Sequence, residues 1–127
     1  MDNLKVAATE RSPEVDFDFE RGVLRLRGES YPEDASTVFG PVFAALEGFL
    51  ADAGRRAIEV EFDLTYFNSS SAKALMNMFQ MLDNAAADGA AVTISWFFAS
   101  DDDTMKEFGE DFSEDLEHVS FKLVAVG

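Results

Sequence analysis

Cysteine is absent from this chain and histidine occurs once, at His118. Disulfides, thiolate metal sites and any metal centre built on several imidazoles are thereby excluded. Cations are scarce as well: 10 Lys and Arg stand against 25 Asp and Glu, for a formal net charge of −15. Binding a nucleic acid or an anionic membrane surface depends on clustered Lys and Arg, so neither partner is expected. No apolar run approaches the roughly 20 residues of a membrane span, and Met1-Asp2-Asn3-Leu4-Lys5-Val6-Ala7-Ala8 lacks the basic and apolar regions of a secretory leader. A soluble, cytoplasmic protein is expected.

What is present is patterned apolar sequence. A chain of 127 residues can bury most of its apolar surface in one core, and no linker or repeat divides it, so residues 1–127 read as a single domain. After an irregular N-terminal arm, Val15, Phe17 and Phe19 alternate with acids, Glu20-Arg21-Gly22 supplies a turn, and Val23 to Arg27 alternates again, which predicts a β-hairpin. Asp34 and Ser36 are caps for a helix carrying Val38, Val42, Leu46 and Phe49, whose regular part is expected near Pro41 because a proline removes a backbone donor. A strand over 57–63, a serine loop, a helix over about 70–87, a strand over Val92–Phe98, an acidic helix and a strand over Ser120–Val126 complete the order ββαβαβαβ. Strands alternating with helices predict an α/β domain with a mixed sheet and helices packed on it.

Chemistry-bearing motifs are few. There is no G-x-G-x-x-G, no G-x-x-x-x-G-K-[ST], and Asp101-Asp102-Asp103 lacks the glycine and closing glutamate of a calcium loop, so no cofactor or metal is expected. A hydrolase using Ser69 or Ser70 would need a base, yet His118 lies far along the chain and Lys73 reads as an exposed helical residue. Residues 101–117 hold nine acids against Lys106, beside the apolar positions Met105, Phe108, Phe112 and Leu116. That pattern suits a solvated helix face, or a docking surface for a basic partner. The remaining feature is Tyr66-Phe67-Asn68-Ser69-Ser70-Ser71-Ala72-Lys73, which sets three hydroxyls between a strand and a helix. Serine there serves as an N-cap, and the free amides of a helix start also suit an added phosphate.

Gly28-Glu29-Ser30-Tyr31-Pro32-Glu33-Asp34 taken with Phe67-Asn68-Ser69-Ser70-Ser71-Ala72-Lys73-Ala74-Leu75-Met76 resembles the SiaC family of bacterial regulatory phosphoproteins. Ala8-Thr9-Glu10-Arg11-Ser12-Pro13 and Val92-Thr93-Ile94-Ser95-Trp96 echo the same family in matching order. The resemblance implies a STAS-like fold, that of anti-sigma-factor antagonists, and a non-enzymatic partner switch. It implies that Ser69, where the family usually has Thr, is the phosphorylated residue. Asn68, Ser70, Ser71 and Lys73 would form the switch segment, and Tyr31 would border it. The implied partners are a protein kinase, a PP2C-type phosphatase and a diguanylate cyclase that the unphosphorylated protein activates. The alternative is a STAS-like ligand-binding or scaffold module in which the serines are only caps.

Overall fold

The computed structural model describes residues 3–127. Along the chain lie β1 (Leu4–Val6), β2 (Glu14–Asp18), β3 (Val23–Ser30), α1 (Ala35–Ala51), β4 (Ala57–Phe67), α2 (Ser69–Ala87), β5 (Ala91–Ala99), α3 (Asp103–Glu114) and β6 (Ser120–Val126). The strands form one sheet in the order β1-β2-β3-β4-β5-β6. The first two pairings are antiparallel and the other three are parallel, each parallel step being bridged by one helix. This is the mixed α/β sheet that the alternation of strand and helix patterns predicts.

Three differences from the sequence reading have physical causes. The N-terminal arm is not wholly irregular, because Leu4–Val6 pairs with Val15–Phe17 as a short edge strand. Three residues are too few to show a period; Met1 and Asp2 of that arm lie outside the described residues. The first helix does not wait for Pro41 but begins at Ala35 and contains it. Gly40 and Pro41 are exposed, whereas Phe39, Val42, Leu46 and Phe49 are buried, so the apolar face outweighs the missing donor. The Asp34 carboxylate caps that helix, taking bonds from the Ser36 amide and the Ser36 and Thr37 hydroxyls. Finally, β4 continues to Phe67 instead of ending at Asp63, so no serine loop exists. A register shift opposite Gly28/Glu29 leaves Thr65 and Tyr66 both exposed, which breaks the alternation without ending the strand.

One face of the sheet carries the core. Val15, Phe17, Leu24, Leu26, Ile58, Val60, Phe62, Val92, Ile94 and Trp96 point from the strands into the layer beneath the helices. Trp96 is the hub: its ring lies within 6.2 Å of those of Phe62, Phe67, Phe79 and Phe112, and its indole N–H donates to the Met105 carbonyl at 3.0 Å. Gly109 brings the α3 backbone against this ring. A Cβ there would lie 2.5 Å from Trp96 Cδ1 and 2.6 Å from a Leu123 methyl.

The opposite face holds polar residues in register. Lys5, Asp16, Arg25, Glu61, Ser95 and Lys122 stand side by side across all six strands. Charges alternate along most of that row, and Arg25 Nε reaches Glu61 Oε2 at 3.3 Å. Such a face tolerates water, which a parallel sheet usually avoids by covering both sides.

Asp83 of α2 ties down the connection between α3 and β6. Its buried carboxylate accepts the backbone amides of Glu117, His118 and Val119 at 3.2, 2.8 and 3.2 Å. Burial alone would raise its pKa; these three bonds, His118 foremost, outweigh that and hold the carboxyl below its ordinary value.

Two stability predictions follow from this packing. Gly109→Ala should lower stability by about 1–3 kcal/mol through overpacking against Trp96, read from urea unfolding. Because the folded state favours ionised Asp83, its contribution is complete above the unfolded carboxylate pKa and disappears as pH falls through the lowered folded value. The stability gap between wild type and Asp83→Asn should therefore be widest near neutrality and narrow towards pH about 3. A gap independent of pH would contradict the assignment.

Candidate functional site

The carboxyl ends of the parallel strands bring together the segments that carry the family resemblance. Asn68 alone separates β4 from α2, and it is Asn68, not a serine, that caps the helix. Its Oδ1 accepts the Ser71 amide at 2.9 Å and its carbonyl accepts the Ala72 amide at 2.9 Å. Ser69 and Ser70 are thus the first two helical residues, with amides that have no acceptor inside the helix. Both side chains are exposed, whereas Ser71 is fully buried.

Ser71 explains the role of Ser30. The two hydroxyls meet at 2.7 Å in the interior, and the Ser30 carbonyl accepts the Asn68 amide at 2.9 Å. The head of α2 is thereby clasped to the end of β3. Ser30 follows Leu24 and Leu26 on the inward-facing positions of β3, so a hydroxyl there requires a buried partner. That inward polar residue is the signal by which its role could have been found from sequence.

The next residues extend the same surface. Tyr31 is half-buried, with its ring edge-on to exposed Tyr66 at 5.7 Å. Its amide donates to the Arg11 carbonyl at 2.7 Å, and the Arg11 guanidinium pairs with Glu33 at 2.7 Å. Thr9 and Ser12 close the N-terminal turn through their hydroxyls at 2.6 Å. The sequence reading gave no role to Arg11, Glu33 or Tyr66, because their partners are distant in the chain.

The three hydroxyls of the serine run are therefore not equivalent. Ser71, which the resemblance assigns to the partner-binding switch segment, lies in the first turn of the helix with its side chain fully buried against Ser30, so it supports the segment from beneath and does not itself face a partner. Ser69 lies on the same helical face as Ala72, Met76 and Gln80, while Ser70 is turned about a quarter of the circumference away. Lys73 is exposed one turn beyond Ser69. His118 lies beside the amino end of β6, at the opposite end of the parallel strands from Ser69, so these two residues form no serine–histidine pair.

A mixed six-stranded sheet with three helices on one face is a STAS-like α/β fold. The profile of the SiaC family of regulatory phosphoproteins matches residues 6–126. An uncharacterised protein of Pseudomonas aeruginosa strain UCBPP-PA14 is 36% identical over 115 residues, covering 91% of this chain and 90% of that protein. The crystal structure of apo-SiaC from P. aeruginosa superposes with a TM-score of 0.90 at 35% identity, covering 98% of this chain and all of that one. SiaC in complex with the diguanylate cyclase SiaD, which it activates, gives a TM-score of 0.91 at 34% identity, covering 97% of this chain and 99% of that one. The chain belongs to the SiaC family of regulatory phosphoproteins.

Removing either hydroxyl of the Ser30–Ser71 pair leaves the other buried and unpaired. Ser30→Ala and Ser71→Ala should each cost about 1–3 kcal/mol in urea unfolding, and the double variant less than their sum. Simple additivity would show that the two groups are not coupled.

Proposed function

We propose that residues 1–127 act as one non-enzymatic regulatory domain, a partner switch set by phosphorylation of Ser69. Unphosphorylated, the protein engages and activates a SiaD-type diguanylate cyclase; a protein kinase adds the phosphate and a PP2C-type phosphatase removes it. The observation that carries this reading is the exposed Ser69 hydroxyl at the first position of α2, in a chain of this family. The complex of P. aeruginosa SiaC with its cyclase supports the output. A kinase that consumes ATP and a cyclase that consumes GTP would work in the bacterial cytoplasm, the compartment this reading requires. Among the described residues, no helix is long and apolar enough to cross a membrane.

Phosphate at Ser69 adds about −1.5 to −2 charge and three acceptor oxygens. The free amides of Ser69 and Ser70 and the positive end of the α2 dipole receive that charge, so the fold survives modification. What changes is the surface. A small hydroxyl that can be covered by a partner becomes a dianion that must be desolvated at an interface, costing several kcal/mol and weakening binding by about 100-fold or more. Asn68 fixes the start of the helix, Ser71 anchors it, and in this reading Ser70, Lys73 and Tyr31 belong to the surface that the partner covers.

Phosphopeptide mapping after reaction with the cognate kinase should place the phosphate on Ser69, and Ser69→Ala should abolish uptake. Ser69→Asp should reduce cyclase binding while leaving the urea midpoint nearly unchanged. Phosphate confined to other residues, or equal binding by wild type, Ser69→Ala and Ser69→Asp, would remove Ser69 from this role.

A further inference from the structure

We propose that the groove between α2 and α3 seats a single amphipathic helix of the partner protein, with cationic side chains along the flank that faces α3. The groove has a volume of about 380 Å³, and its floor is apolar, formed by Phe79, Phe108, Phe112 and Leu116. Met76 at its edge is 53% exposed and Phe108 is 38% exposed, more than a residue committed to the core would be. The two walls differ in charge. On the α3 side, Asp111 and Asp115 line the groove within a segment of nine carboxylates and one lysine. The α2 side offers Ala72, Met76 and the neutral amide of Gln80, with Lys73 exposed near its amino end.

This asymmetry specifies the occupant. Straight walls made of two helices and an apolar floor fit the side-chain stripe of a third helix. The α2 wall from Ser69 to Gln80 is about 16 Å long, or roughly three helical turns. Cations on the α3 flank would face the acidic wall, whereas a strongly acidic helix would be repelled.

The location of the groove links it to the switch, and to that extent the inference rests on the reading of Ser69. Ser69 begins the helical stripe that Ala72, Met76 and Gln80 continue along the groove. A phosphate there would stand at the amino end of that stripe, beside Lys73 and across from the acidic wall. The partner's cations face that acidic wall, so the dianion meets the apolar side of the docked helix and has only this chain's own Lys73 as counter-charge. Phosphorylation therefore opposes docking even of a basic helix.

Calorimetric titration of a SiaD-type diguanylate cyclase with groove variants tests the assignment. Met76→Lys and the pair Asp111→Lys/Asp115→Lys change exposed side chains and should each weaken binding by about tenfold or more. The charge-reversed pair should also lose most of the salt dependence shown by wild type. Glu59→Lys, on the open face of the sheet, should bind as wild type does. Groove variants that bind normally overturn the groove, even where Ser69→Asp weakens binding. Conversely, weakening by the groove variants but not by Ser69→Asp keeps the groove and discards the switch.

Where wild type retains no cyclase, the proposed function fails and a second measurement decides the groove alone. Two synthetic helical peptides of about 18 residues share one leucine stripe and carry either Lys or Glu on the flank. The Lys peptide should shift the amide resonances of Ala72, Met76, Phe108 and Phe112, and the Glu peptide should not. Absent shifts, or shifts centred on another surface, overturn the proposal.

Discussion

The packing of α3 onto Trp96 is the constraint on which the rest of this structure depends. Three successive parallel crossovers leave β6 at the edge of the sheet, and α3 is the helix that leads into it. Closure at that edge requires the α3 backbone to approach the indole directly, which Gly109 permits and the bond from Trp96 to the Met105 carbonyl fixes. With α3 seated, Phe79 of α2 meets Phe112, and Phe67 at the end of β4 meets Phe108. The same contact that completes the core thus creates the groove above it. Asp83 secures the far end by gathering the amides of residues 117–119.

Charge is distributed in a way that follows from this layering. The open face of the sheet interleaves both signs in register, so its field is largely cancelled at short range. The acids of α3 have only Lys106 among them. A net charge of −15 is therefore not a uniform coat. Residues 101–117, with nine acids and one Lys, hold −8 of it, and that segment can steer a basic partner.

The sequence revealed most of the sheet because its strands are long and alternate strictly: Ile58 to Leu64 and Val92 to Phe98 leave little choice of structure or of inward face. It revealed less where the period was short or broken. Leu4–Val6 has too few residues to show a pattern, and the register shift at Thr65-Tyr66 concealed the last third of β4. The α1 boundary was misplaced because the local cost of Pro41 is visible in sequence, whereas the compensating burial of Phe39 and Val42 is not. At the candidate site, the serine run and its neighbours were legible as a motif. The distinction among its three hydroxyls was not, since it depends on Ser30, 41 residues away from Ser71. Asp83 was hidden for the same reason: its partners lie 34–36 residues further on.

The clasp at the head of α2 has a consequence for any enzyme that modifies Ser69. Many kinases thread their substrates as extended peptides, but this serine is already wound into a helix held by Asn68, Ser30 and Ser71. Unwinding it would break the cap and expose a paired interior hydroxyl. The enzyme must instead take the intact helix start as its substrate, and recognise a shape assembled from three separate stretches of chain. Specificity of that kind is written in the tertiary structure, so a denatured copy of the same residues would be a different molecule to the kinase.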